Sequence, residues 1–164
     1  MMVTPQIVVT PDQDAVLGEV QVAAPAERIF KALTSSDQLM RWWNGEDGPC
    51  RVKLWEMDAR LGGKFRTVAS DPSGKMVVNG VSEFETVGEI VEYDPPRVLA
   101  YTWLSNFHTK PEHATLVRWE LVANQGGTMV KMTHSRLKPL PEGAGYADGW
   151  PGVMAWLKSF AEGA

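Results

Sequence analysis

"TLVRWELVANQGGTMVKMTHS", residues 115–135, is the stretch on which the fold turns. In its first arm Val117, Trp119 and Leu121 share a face opposite Arg118 and Glu120. In its second, Val130, Met132 and His134 share a face opposite Lys131 and Thr133. Alternation of period two is the pattern of a strand with one buried side. "NQGG" between the arms supplies the residues a tight turn needs, so the segment predicts an antiparallel hairpin with one apolar face. That face requires a cover.

The cover is found in "GWPGVMAWLKSFAEGA", residues 149–164. Trp150, Val153, Met154, Leu157, Phe160 and Ala161 recur at offsets of three and four along one side of a helix, and Trp156 widens the stripe. Lys158 and Glu162 are its only charged residues, too few for the basic polar face of a membrane-surface helix. The stripe is expected to lie on the apolar face of the sheet, with Trp119 and Met132 below and Met154 and Leu157 above.

Working outward from this pair, the pattern from residue 51 onward is strand-like. Runs near 51–58, 63–70, 75–92, 97–104, 115–123 and 128–135 are separated by "LGG", "DPSG", "DPP", the longer loop "NFHTKPEHA" and "NQGG". Gly80 and Gly88 interrupt the third run and predict bends. Upstream, Val16, Val20 and Val22 alternate with Glu19 and Gln21 as a first strand. "PAERIFKAL" follows as a short amphipathic helix burying Ala26, Ile29, Phe30 and Leu33. A second begins at a capping-box pair, Ser35 and Gln38, buries Leu39, Trp42 and Trp43, and stops at Asn44 and Gly45. The expected architecture is α+β: seven antiparallel strands curved around a long carboxy-terminal helix, with two short helices after the first strand.

At 164 residues the chain has the length of a single domain. Its 16 basic and 20 acidic residues are dispersed, leaving no basic face to neutralise phosphates, so nucleic acid is not an expected partner. No apolar run approaches the ~20 residues that cross a bilayer. "MMVTPQIVVTPDQDA" lacks the basic and apolar regions of a secretory signal, and a cytoplasmic, membrane-free protein is expected. Cys50 is alone, which excludes an intrachain disulfide and fits a buried thiol.

Five ordered segments carry a resemblance. "APAERIFKALTSSDQLMRWW", "DARLGGKFR", "YDPPRVLAYTW", "GGTMVKMTHSRL" and "GWPGVMAWLKSF" are similar to the signature segments of the family named after the activator of the ninety-kilodalton heat-shock chaperone ATPase, over about residues 16–162. That family lies within the helix-grip (SRPBCC) superfamily of START lipid-transfer domains, birch-pollen-allergen relatives and polyketide cyclases. The resemblance implies a curved antiparallel sheet gripping the last helix, often with a cavity between them. The eukaryotic activators carry a further amino-terminal domain for engaging the chaperone, whereas about fifteen residues precede the first strand read here. Binding of a small apolar or amphipathic molecule is therefore the leading expectation. A cyclase-like or hydrolase-like activity and a chaperone-associated role are the alternatives.

The residues expected to bind such a ligand are Trp43, Tyr101, Trp103, Trp119, Met132, His134, Trp150, Met154 and Leu157. Pockets for flat or greasy molecules are lined mainly by apolar and aromatic side chains with a few orienting polar groups. His134, Tyr101 and Glu92 are the groups an enzyme would use for proton transfer, Glu92 because its strand parity is opposite to that of Glu83, Glu85 and Glu89, which read as an exposed acidic edge. His108, Glu112 and His113 share a loop but match no compact zinc spacing, so no metal is expected. "LGGKF" lacks the P-loop pattern, and no cofactor is expected.

Overall fold

The computed structural model describes residues 4–45 and 47–163. The first three residues, which enter the reading of the amino-terminal stretch, and the last residue of the quoted 149–164 stretch lie outside them. Among the described residues eight strands form one antiparallel sheet: β1 (Gln6–Val9), β2 (Val16–Val22), β3 (Arg51–Met57), β4 (Lys64–Ser70), β5 (Glu83–Asp94), β6 (Val98–Ser105), β7 (Thr115–Asn124) and β8 (Gly127–Ser135). Helices α1 (Ala26–Thr34) and α2 (Ser36–Trp42) follow β2, and α3 (Tyr146–Gly163) closes the chain. Across the sheet the order is β1-β2-β8-β7-β6-β5-β4-β3. From β3 to β8 each strand thus pairs with the next, while α1 and α2 carry the chain from β2 to the opposite edge.

The sheet has eight strands rather than seven, and the extra one is β1. "QIVV" has only four residues, and Val8 and Val9 are both exposed, so no alternation marks it. It is held as an edge strand by pairing Val8 with Leu17 and Val9 with Val16.

The predicted strand over 75–92 is also corrected. Ser70 pairs with Glu83, which closes the β4–β5 ladder and leaves 71–82 as a loop. Within it the Asp71 carboxylate accepts hydrogen bonds from Ser73 and from the Met76 amide, and Asn79 and Gly80 both have positive φ. A strand cannot pass through two successive left-handed residues. Gly88 is required for a different reason: a Cβ there would stand 1.9 Å from the Thr102 carbonyl oxygen and 2.3 Å from the Phe65 ring.

The hairpin of β7 and β8 puts the two predicted apolar faces on one side, with Trp119 opposite Met132 and Val117 opposite His134, and all four are buried. α3 begins at Tyr146, earlier than the apolar stripe, with Pro151 inside it. Trp150, Val153, Met154, Leu157 and Ala161 are buried, whereas Phe160 and Trp156 are half-buried. The helix packs on β2, β1, α1 and α2. Its approach to β2 is set by Gly18, where a Cβ would meet Met154 Sδ at 2.5 Å. α3 meets β6 at its first residue, Tyr146, and α2 packs on the β3 edge, so α3 does not lie along the inner face of β3–β6. The consequence is a cavity on that side.

Candidate functional site

The cavity has a volume of about 540 Å³ and lies between the inner faces of β3–β6 and the start of α3. Its walls are mainly apolar: Trp43, Trp103, Trp150, Phe84 and Phe107 contribute rings, and Val52, Ala69 and Val153 fill between them. The 71–82 loop supplies Met76 and Val78. It is tied down by Asn79, whose side-chain amide donates to the Phe107 carbonyl at 2.7 Å.

Trp43 is the hub of this wall. α2 ends at Trp42, Trp43 takes up extended backbone, and Asn44 and Gly45 follow with positive φ. The unwinding carries the Trp43 ring away from the helix stripe into contact with four others. Its centroid lies 5.2 Å from Trp42, 5.0 Å from Trp55, 5.8 Å from Trp103 and 6.3 Å from Trp150. Offset and edge contacts of this kind each add about 0.5–1.5 kcal/mol beyond area burial. The wall is therefore firm where a flat ligand would meet it.

Of the residues expected to bind ligand, Trp43, Trp103 and Trp150 line the cavity. Tyr101, Trp119, Met132, His134, Met154 and Leu157 lie outside its lining and are at most 2% exposed. They form the packed part of the core instead. Trp119 Nε1 donates to the Tyr101 hydroxyl at 3.0 Å, and burial pushes that phenol well above its ordinary range.

His134 is committed on both ring nitrogens. Thr115 Oγ1 donates to the Trp103 carbonyl at 2.8 Å, and so at 2.7 Å it accepts from His134 Nε2–H. The lone pair left on Nδ1 accepts from Trp150 Nε1 at 3.1 Å. The imidazole is thereby fixed in one neutral tautomer, and burial pushes its pKa down to about 3, with a smaller contribution from His108. A neutral, fully bonded histidine positions Trp150 and has no proton to exchange with a ligand.

Glu92 does not join His134 and Tyr101. The β5–β6 register shifts between Ile90 and Glu92, and this bulge turns Glu92 to the outer face, where it accepts from Arg118 at 3.0 Å. Parity counted along the sequence fails at a bulge. Glu83 and Glu85 likewise face outward, paired with Lys53 and Arg66, but β5 lies inside the sheet and so the acidic residues are not an edge.

A different polar group stands at the cavity. The Tyr146 hydroxyl lies 2.6 Å from His108 Nε2 and accepts from Trp103 Nε1 at 3.2 Å. Nearby, the Ser105 and Thr86 hydroxyls share a hydrogen bond of 2.6 Å. Glu142, at the lip, accepts from the Thr109 amide at 2.6 Å and from its hydroxyl at 3.0 Å. Burial pushes the Glu142 carboxyl up, but these donors outweigh it and hold the group below its usual range. Burial lowers the His108 imidazole against the opposing pull of Glu142.

His108 and Thr109 come from the β6–β7 loop, Glu142 from the segment after β8 and Tyr146 is the first residue of α3. No local spacing announces them. His113 turns away, its Nε2 lying 2.7 Å from the Arg136 carbonyl, so the loop histidines do not converge. Among the described residues no group of three His, Cys, Asp or Glu side chains is placed to hold a metal. Cys50 is buried at the cavity wall, its Sγ 3.4 Å from Met76 Sδ, and desolvation raises its thiol pKa. No helix among the described residues is long and apolar enough to cross a membrane.

Residues 23–162 match the sequence profile of the family described as activator of Hsp90 ATPase homolog 1-like protein. The chain belongs to that family. Its fold is also that of solved structures. A protein from Rhodobacter sphaeroides is 22% identical, with 96% of this chain and 95% of that one aligned at a TM-score of 0.74. One from Chromobacterium violaceum is 19% identical, with coverage of 91% and 98% and a TM-score of 0.75. The solution structure of an AHSA1-like protein from Aeromonas hydrophila is 19% identical, with coverage of 91% and 92% and a TM-score of 0.69. At such identities the likeness concerns the fold alone. Among curated proteins none matches the chain.

Proposed function

We propose that this member of the activator-homologue family binds a small, largely apolar molecule in the cavity between β3–β6 and the start of α3. The observation that carries the reading is the wall itself: about 540 Å³ bounded by six aromatic rings, with hydroxyl groups gathered at one place. That size and that mixture are typical of small-molecule sites. The groups that the sequence offers to an enzyme do not support one, because Glu92 is on the other side of the sheet and His134 has no free nitrogen.

Titration with phenylnaphthylamine, which brightens in apolar surroundings, tests the reading. Saturable one-to-one binding is expected. Ala69→Trp, placed between Val52 and Phe84 on neighbouring strands, should fill the cavity and abolish binding while the circular dichroism spectrum is kept. Equal affinity in the folded variant would place the probe elsewhere and defeat the proposal.

A further inference from the structure

We infer that the Tyr146 hydroxyl is an anchoring donor for a flat aromatic ligand bearing a carbonyl or similarly exposed acceptor oxygen. The inference rests on the cavity reading above and adds to it the chemistry of the ligand.

It follows from a count of hydrogen-bonding capacity. A tyrosine hydroxyl has one hydrogen and two lone pairs. Trp103 Nε1 can only donate, so it occupies one lone pair at 3.2 Å. His108 Nε2, 2.6 Å away, either takes the hydroxyl hydrogen or fills the second lone pair. His108 is 6% exposed, and its Nδ1 is buried without a partner. Were Nε2 the acceptor, Nδ1 would carry a buried N–H with nothing to receive it. Buried orphan N–H groups are rarer and costlier than underused acceptors. The preferred tautomer therefore has Nε2–H donating to Tyr146.

Both lone pairs of Tyr146 are then filled and its hydrogen is left to donate. Two donors on one oxygen polarise its O–H and make it a stronger donor than an isolated phenol. Ser105, which adjoins this hydroxyl, can hold the hydrogen and release it, since its own bond to Thr86 remains. Tyr146, Ser105 and Thr86 all line the cavity. The donor is thus presented to whatever occupies that space, and its natural complement is an acceptor oxygen. Flatness follows from the walls: the Trp43 and Trp103 rings stack with their planes inclined by only 26° and their centroids 5.8 Å apart, and a planar ring system is the shape that extends such a stack.

The test compares probes that differ in one feature each. Acetonaphthone carries the carbonyl on a flat ring system. Isopropenylnaphthalene has the same shape without the acceptor, and methyl decyl ketone has the acceptor and the same number of carbons without rings. Affinities are read by quenching of tryptophan fluorescence. One good hydrogen bond corresponds to a preference of about tenfold. Acetonaphthone should therefore bind about tenfold tighter than isopropenylnaphthalene, and the isotope-edited infrared carbonyl band of the bound ketone should lie below its position in hexane. In Tyr146→Phe the preference should fall to about one, whereas a merely structural role for the hydroxyl would weaken both naphthalenes alike. If that variant fails to fold, the affinity ratio and infrared band of the unaltered protein decide.

Equal affinities for the two naphthalenes, an unshifted band, or a preference that survives Tyr146→Phe would overturn the anchor and leave the cavity reading standing. Methyl decyl ketone binding as tightly as acetonaphthone would overturn the requirement for a flat ring. Binding by none of the three would overturn the anchor and the cavity reading together.

Discussion

His134 links a single side chain to the pH dependence of the whole protein. In the unfolded chain it takes a proton near 6.5, but in the folded protein only near 3. Between those values the unfolded state binds more protons, so stability falls as pH falls; above 6.5 the group contributes no slope. His108, also lowered by burial, acts with the same sign. Urea melts should lose roughly 1–2 kcal/mol between pH 6.5 and pH 5, since a proton bound by the unfolded chain alone is worth about 1.36 kcal/mol for every tenfold rise in proton concentration. In His134→Gln most of that slope should be gone, and an unchanged slope would mean that His134 is already charged in the folded protein. Leu157 gives a second prediction at this scale. It is fully buried and outside the cavity lining, so Leu157→Ala should cost about 3–5 kcal/mol while the affinity for phenylnaphthylamine in the folded protein is retained. A large loss of affinity would tie this part of the core to the ligand after all.

Elements are legible where one period runs uninterrupted. The alternation in β7 and β8 and the stripe of α3 can be read directly because burial, backbone geometry and sequence pattern agree there. β1 leaves no such mark because both Val8 and Val9 are exposed, and sequence parity puts Glu92 on the wrong face because a bulge reverses it. Aromatic content points to Trp43, Trp103 and Trp150, but nothing local distinguishes these from Trp119, which is core. That distinction depends on where α3 ends its coverage of the sheet. The His108–Tyr146 contact joins residues 38 positions apart across irregular chain, beyond the reach of any periodicity. The 71–82 loop, whose second half has a strand-like sequence, is the element with a dynamic role to test. Its tether is the Asn79 side chain, and Asn79→Gly removes that bond while suiting the positive φ. Stopped-flow dissociation of phenylnaphthylamine should quicken severalfold, with a stability change within about 1.5 kcal/mol. An unchanged rate would exclude this loop from the exit path.

For the whole molecule the decisive feature is that one helix covers half of a wide sheet. α3 lies on β1 and β2, and its residues share a core with Val117, Trp119 and Met132, where Gly18 permits close approach. On the β3–β6 side, tryptophans and a loop do the covering, and large rigid rings leave space that branched aliphatic side chains would have closed. Rigidity and capacity are thereby separated into two halves of one sheet, and occupying the cavity should stabilise the fold without rebuilding the core. A ligand that binds only the folded state at a hundred times its Kd adds about 2.7 kcal/mol. For a chain of 164 residues this corresponds to a rise in Tm of roughly 5–10 °C. Calorimetry with saturating phenylnaphthylamine should show that rise in the unaltered protein and in Leu157→Ala, which starts from a lower Tm but has the same cavity. Ala69→Trp should show none. A shift confined to the unaltered protein would mean that the two halves of the sheet are coupled, and that the packing beneath α3 helps to shape the cavity beyond it.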